Sequence, residues 1–309
     1  MTSLPSSLPV RLSTRAVGIA LAFLTSVVSG VAVYVNAHGV SRFDDATVYT
    51  TAKNGVAGAF LLALAVPVLA APRRTARPRT RGQWLGLVAL AGIGGSVPFV
   101  LFFEGLSRAS ATQAAFIHKT LVVWVALLAV PLLRERLGPA HLSAIALLVA
   151  GQAWLAGSVG TVAFGSGEAL ILAATLLWAG EVILVKRLVT GLDPRTLAAA
   201  RMALGAVILV AWVAVSGRVA DLAGLGAEQW SWALLTGLLL TAYVATWYGA
   251  LARAQAVDVT AVLVFGAVVT ALLSGAADGV PVNAVGIALV VTGAVVAAAA
   301  SLRQQVAAS

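Results

Sequence analysis

Apolar residues run along this chain in ten long blocks that polar residues barely interrupt. The blocks cover about residues 16–37, 47–71, 83–105, 110–132, 139–157, 167–189, 196–215, 230–252, 257–275 and 282–302. Each holds roughly the 20 apolar residues that one membrane-spanning helix needs. They are predicted as helices because a segment facing lipid must satisfy its own backbone hydrogen bonds. Glycines such as Gly92, Gly94 and Gly95 leave room for helices to approach closely. Trp84 and Trp230 stand at block starts, where an interfacial aromatic belt is expected. The first block follows Arg11 and Arg15 and ends at Val35-Asn36-Ala37, a faint cleavage-like ending. It is longer than a signal-peptide core, which predicts a retained first helix.

Composition narrows the class. Of 309 residues 61% are hydrophobic and 10% charged, and mean hydropathy is +1.00. A soluble domain is about half apolar and about one-quarter charged. This excludes a soluble enzyme, a disulfide scaffold and a disordered chain, and leaves an all-α polytopic membrane protein. With no cysteine, thiol catalysis and thiolate metal sites are excluded.

The net charge of +9 points to topology rather than to nucleic acid. With ten spans and the N-terminus in the cytoplasm, fourteen basic residues fall on cytoplasmic segments: Arg11, Arg15, Arg73, Arg74, Arg77, Arg79, Arg81, Arg134, Arg136, Lys186, Arg187, Arg195, Arg253 and Arg303. Only Arg42, Arg108 and Arg218 fall outside. That bias places both termini in the cytoplasm. Residues 1–15 are then a cytoplasmic segment and 303–309 a cytoplasmic tail.

The two halves resemble each other. Leu106, Arg108 and Ala109 match Leu251, Arg253 and Ala254 at an offset of 145, and Thr25 and Gly30 match Thr175 and Gly180 at 150. Asp45 and Lys53 match Asp193 and Arg201 at 148. Five spans per half form two repeats, 16–157 and 158–302. An odd number of spans inverts the second repeat, an arrangement characteristic of secondary transporters.

Particular stretches resemble a known family. Ala114-Ala115-Phe116-Ile117 through Leu132-Leu133-Arg134-Glu135-Arg136-Leu137 is similar to the fourth helix of EamA-type transporters in the drug/metabolite transporter superfamily. Leu177-Trp178-Ala179, Lys186-Arg187 and Arg201 resemble the sixth and seventh helices of that family. The resemblance covers about 16–302 and implies ten transmembrane helices as two inverted five-helix repeats. The chain departs from the pattern at Lys53, where arginine is usual, at Ala277-Asp278-Gly279, which lacks the helix-end glutamate, and around His118-Lys119-Thr120, which lacks a proline.

Ionisable groups inside spans carry the sharpest functional signal. Each central charge costs about 2.5–3.5 kcal/mol on insertion scales, so it is kept only against a cavity or a counter-charge. Lys119 lies near the middle of its block, about 15 Å from either end, too far to snorkel comfortably. It is the leading substrate-binding candidate and favours an anionic group; a structural ion pair with Glu104 or Glu181 is the alternative. His118 is its neighbour, about 100° around the helix. Trp124, Trp178, Tyr243 and Trp247 are candidate cavity aromatics, the last two sharing a face at i,i+4. Glu181 and Glu104 are candidate proton-coupling groups, and Pro98 should kink its helix and free a carbonyl. From the resemblance, Lys53 and Arg201 are expected to bond helix ends near the membrane face, with Glu135 a third structural charge.

The expected function is a secondary active transporter exporting a small metabolite, such as an amino acid or organic acid, or a drug. A channel or non-transporting sensor is the alternative. A membrane-embedded enzyme is disfavoured, because no Ser-His-Asp order, histidine cluster or phosphate-cradling loop is present. No cofactor, metal or nucleic acid is implied. The expected partners are the substrate, the lipid bilayer and protons, for a monomer or homodimer. The Gly, Ala, Val and Arg bias suggests a bacterial inner membrane.

Overall fold

The computed structural model describes residues 14–71, 77–106, 108–109, 111–156 and 164–306. The expected N-terminal segment 1–15 therefore lies almost wholly outside the described residues, as do 72–76 of the arginine-rich connection and the last three residues of the tail. The described chain is helical. Its long elements are α1 (Thr14–Val40), α2 (Ala46–Ala70), α3 (Arg81–Leu106), a broken α4 (Ala111–Lys119 and Leu121–Leu133), α5 (Pro139–Leu155), α6 (Ser166–Leu188), α7 (Pro194–Val215), α8 (Ala227–Leu251), a broken α9 (Ala256–Leu263 and Gly266–Asp278) and α10 (Ala284–Val306).

Among the described residues nine of these are long and apolar enough to cross a membrane; α5 is shorter. Its 17 residues reach only about 25 Å against a hydrocarbon core of about 30 Å. Large apolar side chains face outward along the bundle, Leu85 at 70% and Val215 at 85% exposed among them. A soluble fold would not leave such a surface bare.

Local chemistry sets the helix boundaries. Asp45 caps α2 by accepting from the Thr47 and Val48 N–H groups, and Asp193 caps α7 by accepting from Arg195 N–H. Both helices thus begin on the aspartates that the repeat pairs. The single expected block 110–132 breaks at Thr120, and 257–275 breaks at Val264–Phe265. Neither break involves a proline. α4 ends at Arg134 and α9 at Gly279, both left-handed, with φ of 58° and 68°. These two ends stand 145 residues apart, the offset that also relates the Leu-x-Arg-Ala sequences.

Packing follows the same correspondence. α2 packs on α7 and α5 on α10, while α1 packs on α8 and α9 as α6 packs on α3 and α4. Glycines permit the closest crossing. A Cβ on Gly205 in α7 would lie 2.7 Å from the Gly95 carbonyl oxygen in α3. The two backbones touch because neither residue carries a side chain.

The two ends of the bundle differ in charge. At one end Arg15 donates to Ser301 O, Arg187 to Leu132 O, and Lys186 to the carbonyls of Leu251 and Ala254. The carbonyls of Leu132 and Leu251 lie in the last turns of α4 and α8, where no helical N–H remains to bond them. At the opposite end Arg218 pairs with Asp45 at 2.8 Å and Arg42 with Glu228 at 3.4 Å.

Candidate functional site

A cavity of about 260 Å³ lies between α1–α4 and α6–α8. Its lining reaches Val40 and Leu106, the last residues of α1 and α3, at the end opposite the basic one. Lys53, His118, Lys119, Glu181 and Arg201 supply its ionisable groups, within a wall rich in aromatic residues.

The break in α4 positions Lys119. It is the last residue of Ala111–Lys119, and Thr120 turns the chain there by bonding its own hydroxyl to Ile117 O at 2.6 Å. Lys119 is half-buried and makes no hydrogen bond or ion pair among the described residues. His118 also faces the cavity. Its ring centroid lies 5.0 Å from Trp178 and 5.5 Å from Phe102, and its buried Nδ1 has no hydrogen-bond partner among the described residues.

Trp178 is fixed from the opposite half. α3 widens into a π-helical turn over Ala91–Ser96, just before Pro98. Proline offers no N–H to the preceding turn, and the Gly94 carbonyl instead accepts from Trp178 Nε1 at 3.3 Å. The expected free carbonyl is thus used to orient a cavity tryptophan. A π-turn is frequent at functional sites. The same stretch makes room for Glu181: a Cβ at Gly94 would meet Glu181 Cδ at 2.6 Å.

Glu181 and Arg201 form a buried pair. Arg201 Nε lies 2.7 Å from Glu181 Oε1, and Arg201 Nη2 donates to Oε2 at 3.1 Å. The Tyr248 hydroxyl donates to Oε1 at 2.7 Å. Both carboxylate oxygens are therefore committed. The two charged residues are 2% and 3% exposed. A pair so far from water is favourable only where its charges meet closely and further donors satisfy the carboxylate.

Lys53 is held differently. Its ammonium donates to Asn36 Oδ1 at 3.0 Å and lies 4.9 Å from the Tyr49 ring centroid and 4.8 Å from that of Phe103. Aromatic faces replace part of its hydration. The Tyr49 hydroxyl donates to the same Asn36 oxygen.

Several expected positions change. Among the described residues Lys53 bonds Asn36 and Arg201 bonds Glu181, side chains inside neighbouring helices and not helix-end carbonyls. Lys53 and Arg201 each lie about two turns inside their own helix, where the packing of α2 on α7 turns both toward the cavity wall. Glu104 is separate from the cavity lining: its carboxylate accepts from Arg108 Nη2 at 3.0 Å on an exposed surface. Trp124 also lies off the lining, donating to Thr120 Oγ1 at 3.0 Å while its ring packs on the main core. Trp178, Tyr243 and Trp247 line the cavity, the last two stacked with centroids 6.0 Å apart. The sequence reading did not select Asn36, Phe99, Phe102, Phe103 or Tyr248. Asn36 carried a usable signal, being a polar residue inside an apolar block.

Glu135 sits at the basic end. Its carboxylate accepts from the N–H groups of Ala256 and Val257, at 2.7 and 3.1 Å, and so caps the first piece of α9. Burial pushes its carboxyl above its ordinary range, against the opposing effect of those two donors. Next to it, His141 Nε2 lies 3.2 Å from Asp258 Oδ1, both buried. Among the described residues no group of three or more His, Asp or Glu could hold a metal ion.

Comparison with known proteins completes the picture. The model of the EamA-like transporter family matches twice, over residues 16–157 and 165–300. An uncharacterized transporter of Archaeoglobus fulgidus is 31% identical over 207 residues, covering 63% of this chain and 70% of the relative. A solved crystal structure superposes with a TM-score of 0.70 at 19% identity, covering 92% of this chain and 99% of the other; that likeness concerns the fold alone. With two family matches that together span most of the sequence, and apolar helices built to cross a membrane, the chain belongs to the EamA-like transporter family and is a multi-pass membrane protein.

Proposed function

We propose that the protein is a secondary active transporter that exports a small metabolite, such as an amino acid or organic acid, or a drug, by alternating access. The observation that carries this reading is the cavity: both halves of the chain line it, and it collects buried charges that a bundle with no solute to handle would not keep. Ten spans in two inverted five-helix repeats are supported by the shared offset of helix breaks and ends, and by the paired packing of α1 with α6 and their neighbours. The broken α4 and α9 occupy corresponding positions, as discontinuous helices do in inverted-repeat transporters. The lining ends opposite the basic helix ends. With basic segments inside, both termini are cytoplasmic, and this conformation faces outward from a bacterial inner membrane.

Substrate meets Lys119, His118, Trp178, Tyr243 and Trp247. Rocking of the halves closes the outer end and opens the basic one, where Glu135 and Lys186 now bridge helix ends. Glu181 is the proton-coupling group: protonation would release Arg201 and Tyr248 from its carboxylate. The test is solute counterflow in proteoliposomes. Saturable counterflow is expected, accelerated by an imposed pH gradient. Flux that neither saturates nor shows counterflow would identify a channel. Counterflow indifferent to the gradient would remove the coupling role and leave transport standing.

A further inference from the structure

Resting on that transport reading, we infer that the cavity binds an organic anion whose carboxylate sits at Lys119 and whose body is flat and apolar, and that it selects against the amino acid of the same skeleton.

The charge inventory of the wall carries this. All eleven carboxylate side chains of the chain fall on described residues, and Glu181 is the only one lining the cavity. Against it stand three cations, Lys53, Lys119 and Arg201. Arg201 and Glu181 occupy each other, and Tyr248 takes up the remaining capacity of Oε1. Lys53 is enclosed by Asn36 and the rings of Tyr49, Phe99 and Phe103. Lys119 alone among these cations has neither a hydrogen-bond acceptor nor a ring face among the described residues. A cation half withdrawn from water without a counter-charge is costly, and an incoming carboxylate supplies what it lacks.

The rest of the wall describes the body of the ligand. His118 meets Phe102 and Trp178 edge to face at 5.5 and 5.0 Å between centroids, and Phe102 and Trp178 are tilted against each other at 5.7 Å. Tyr243 and Trp247 stack at an interplanar angle of 14°. Such surfaces match a flat apolar group through stacking and edge contacts.

The same inventory argues against an α-amino group. An amino acid brings an ammonium into a wall with three cations, where both oxygens of the single carboxylate are already bonded. Its ammonium would have to displace Arg201 or stay without a counter-charge. The attraction of a ring face for a cation is small beside the cost of an uncompensated charge in a partly dry cavity.

Three probes of nearly one shape separate the possibilities: 3-phenylpropionate, phenylalanine and phenethylamine. Binding is read by thermal stabilisation of the detergent-purified full-length protein, and flux by counterflow of each labelled probe in proteoliposomes. The expected result is that 3-phenylpropionate binds at least about tenfold more tightly than either amine-bearing probe. Lys119→Gln should lose that binding by about tenfold or more, and Lys119→Arg should retain most of it. Equal or tighter binding of phenylalanine or phenethylamine overturns the inference. So does unchanged binding in Lys119→Gln, or the absence of stabilisation by millimolar 3-phenylpropionate. The wild-type ranking needs no variant to fold. Binding of 3-phenylpropionate without counterflow would keep the anion site and refute transport. Counterflow of phenethylamine without binding of the acid would keep transport and refute the anion site.

Discussion

The buried pair Glu181–Arg201 gives the sharpest energetic test. Replacing Glu181 by Gln removes the carboxylate that Arg201 meets at 2.7 and 3.1 Å. Arg201 is 3% exposed, so its guanidinium is left charged, dry and unpaired. Breaking a buried pair in this way costs about 3–5 kcal/mol. Arg201→Met should cost somewhat less, because a buried carboxylate without its counter-charge can take up a proton. The double variant leaves neither member of the pair charged and unpartnered, so its cost should fall well below the sum of the singles, with a coupling of about 2–4 kcal/mol. Ordinary hydrogen bonds inside membrane proteins average only about 0.6 kcal/mol in such cycles. A coupling of that smaller size would mean that the pair acts as a hydrogen bond and not as a charge pair. The assay is unfolding by SDS in mixed micelles, followed by tryptophan fluorescence; Trp178 lies three residues before Glu181. Additivity of the two single variants within about 0.5 kcal/mol would refute the reasoning.

Gly205→Ala should lower stability by about 1–3 kcal/mol, because the new Cβ meets the Gly95 backbone at 2.7–2.9 Å and α3 must part from α7; the thermal midpoint in detergent checks this. Glu135→Ala strands the Ala256 and Val257 N–H groups. It should cost about 1–3 kcal/mol, read by the same midpoint, and should raise thiol labelling of a cysteine placed at Val257, since the chain has no cysteine of its own. Trp178→Ala should impair counterflow severely, whereas Trp124→Phe, off the lining, should leave it near the parent rate. For orientation, a cysteine at Ala227 should react with an impermeant maleimide added to intact cells, and one at Arg195 should react only after lysis; the reverse pattern would invert the assigned topology.

The helical segments, their starts and the doubling of the chain were legible in the residues alone. Ten apolar blocks with few charges leave a backbone in lipid little choice but helix. Asp45 and Asp193 announce α2 and α7 because their side chains compete for the first free N–H groups of a helix. The offset of 145 was visible in Leu106, Arg108 and Ala109 before it reappeared in the ends of α4 and α9. Lys119, His118, Trp178, Tyr243 and Trp247 could be chosen because a charge or an amphipathic ring inside an apolar block stands out.

Which face of each helix meets the cavity depends on how the helices pack. In water, polarity separates an inner from an outer face. In lipid both faces are apolar, so Phe99, Phe102 and Phe103 look no different from the residues that face acyl chains. The same ambiguity hid that Trp124, partly buried against the main core, stands off the cavity lining, and left Glu104 and Glu181 equivalent until one proved to lie at an exposed helix end beside Arg108. Pairing across sequence distance was equally hidden: Glu181 finds Arg201 twenty residues on and Tyr248 sixty-seven residues on. The break at Thr120 carries no proline to mark it, and it arises where a threonine hydroxyl bonds back to Ile117 O. Spans follow from the cost of leaving backbone polar groups unbonded in lipid, which each segment settles within itself. A site follows from which helices cross, and that is settled by small residues such as Gly95 and Gly205 letting two distant segments touch.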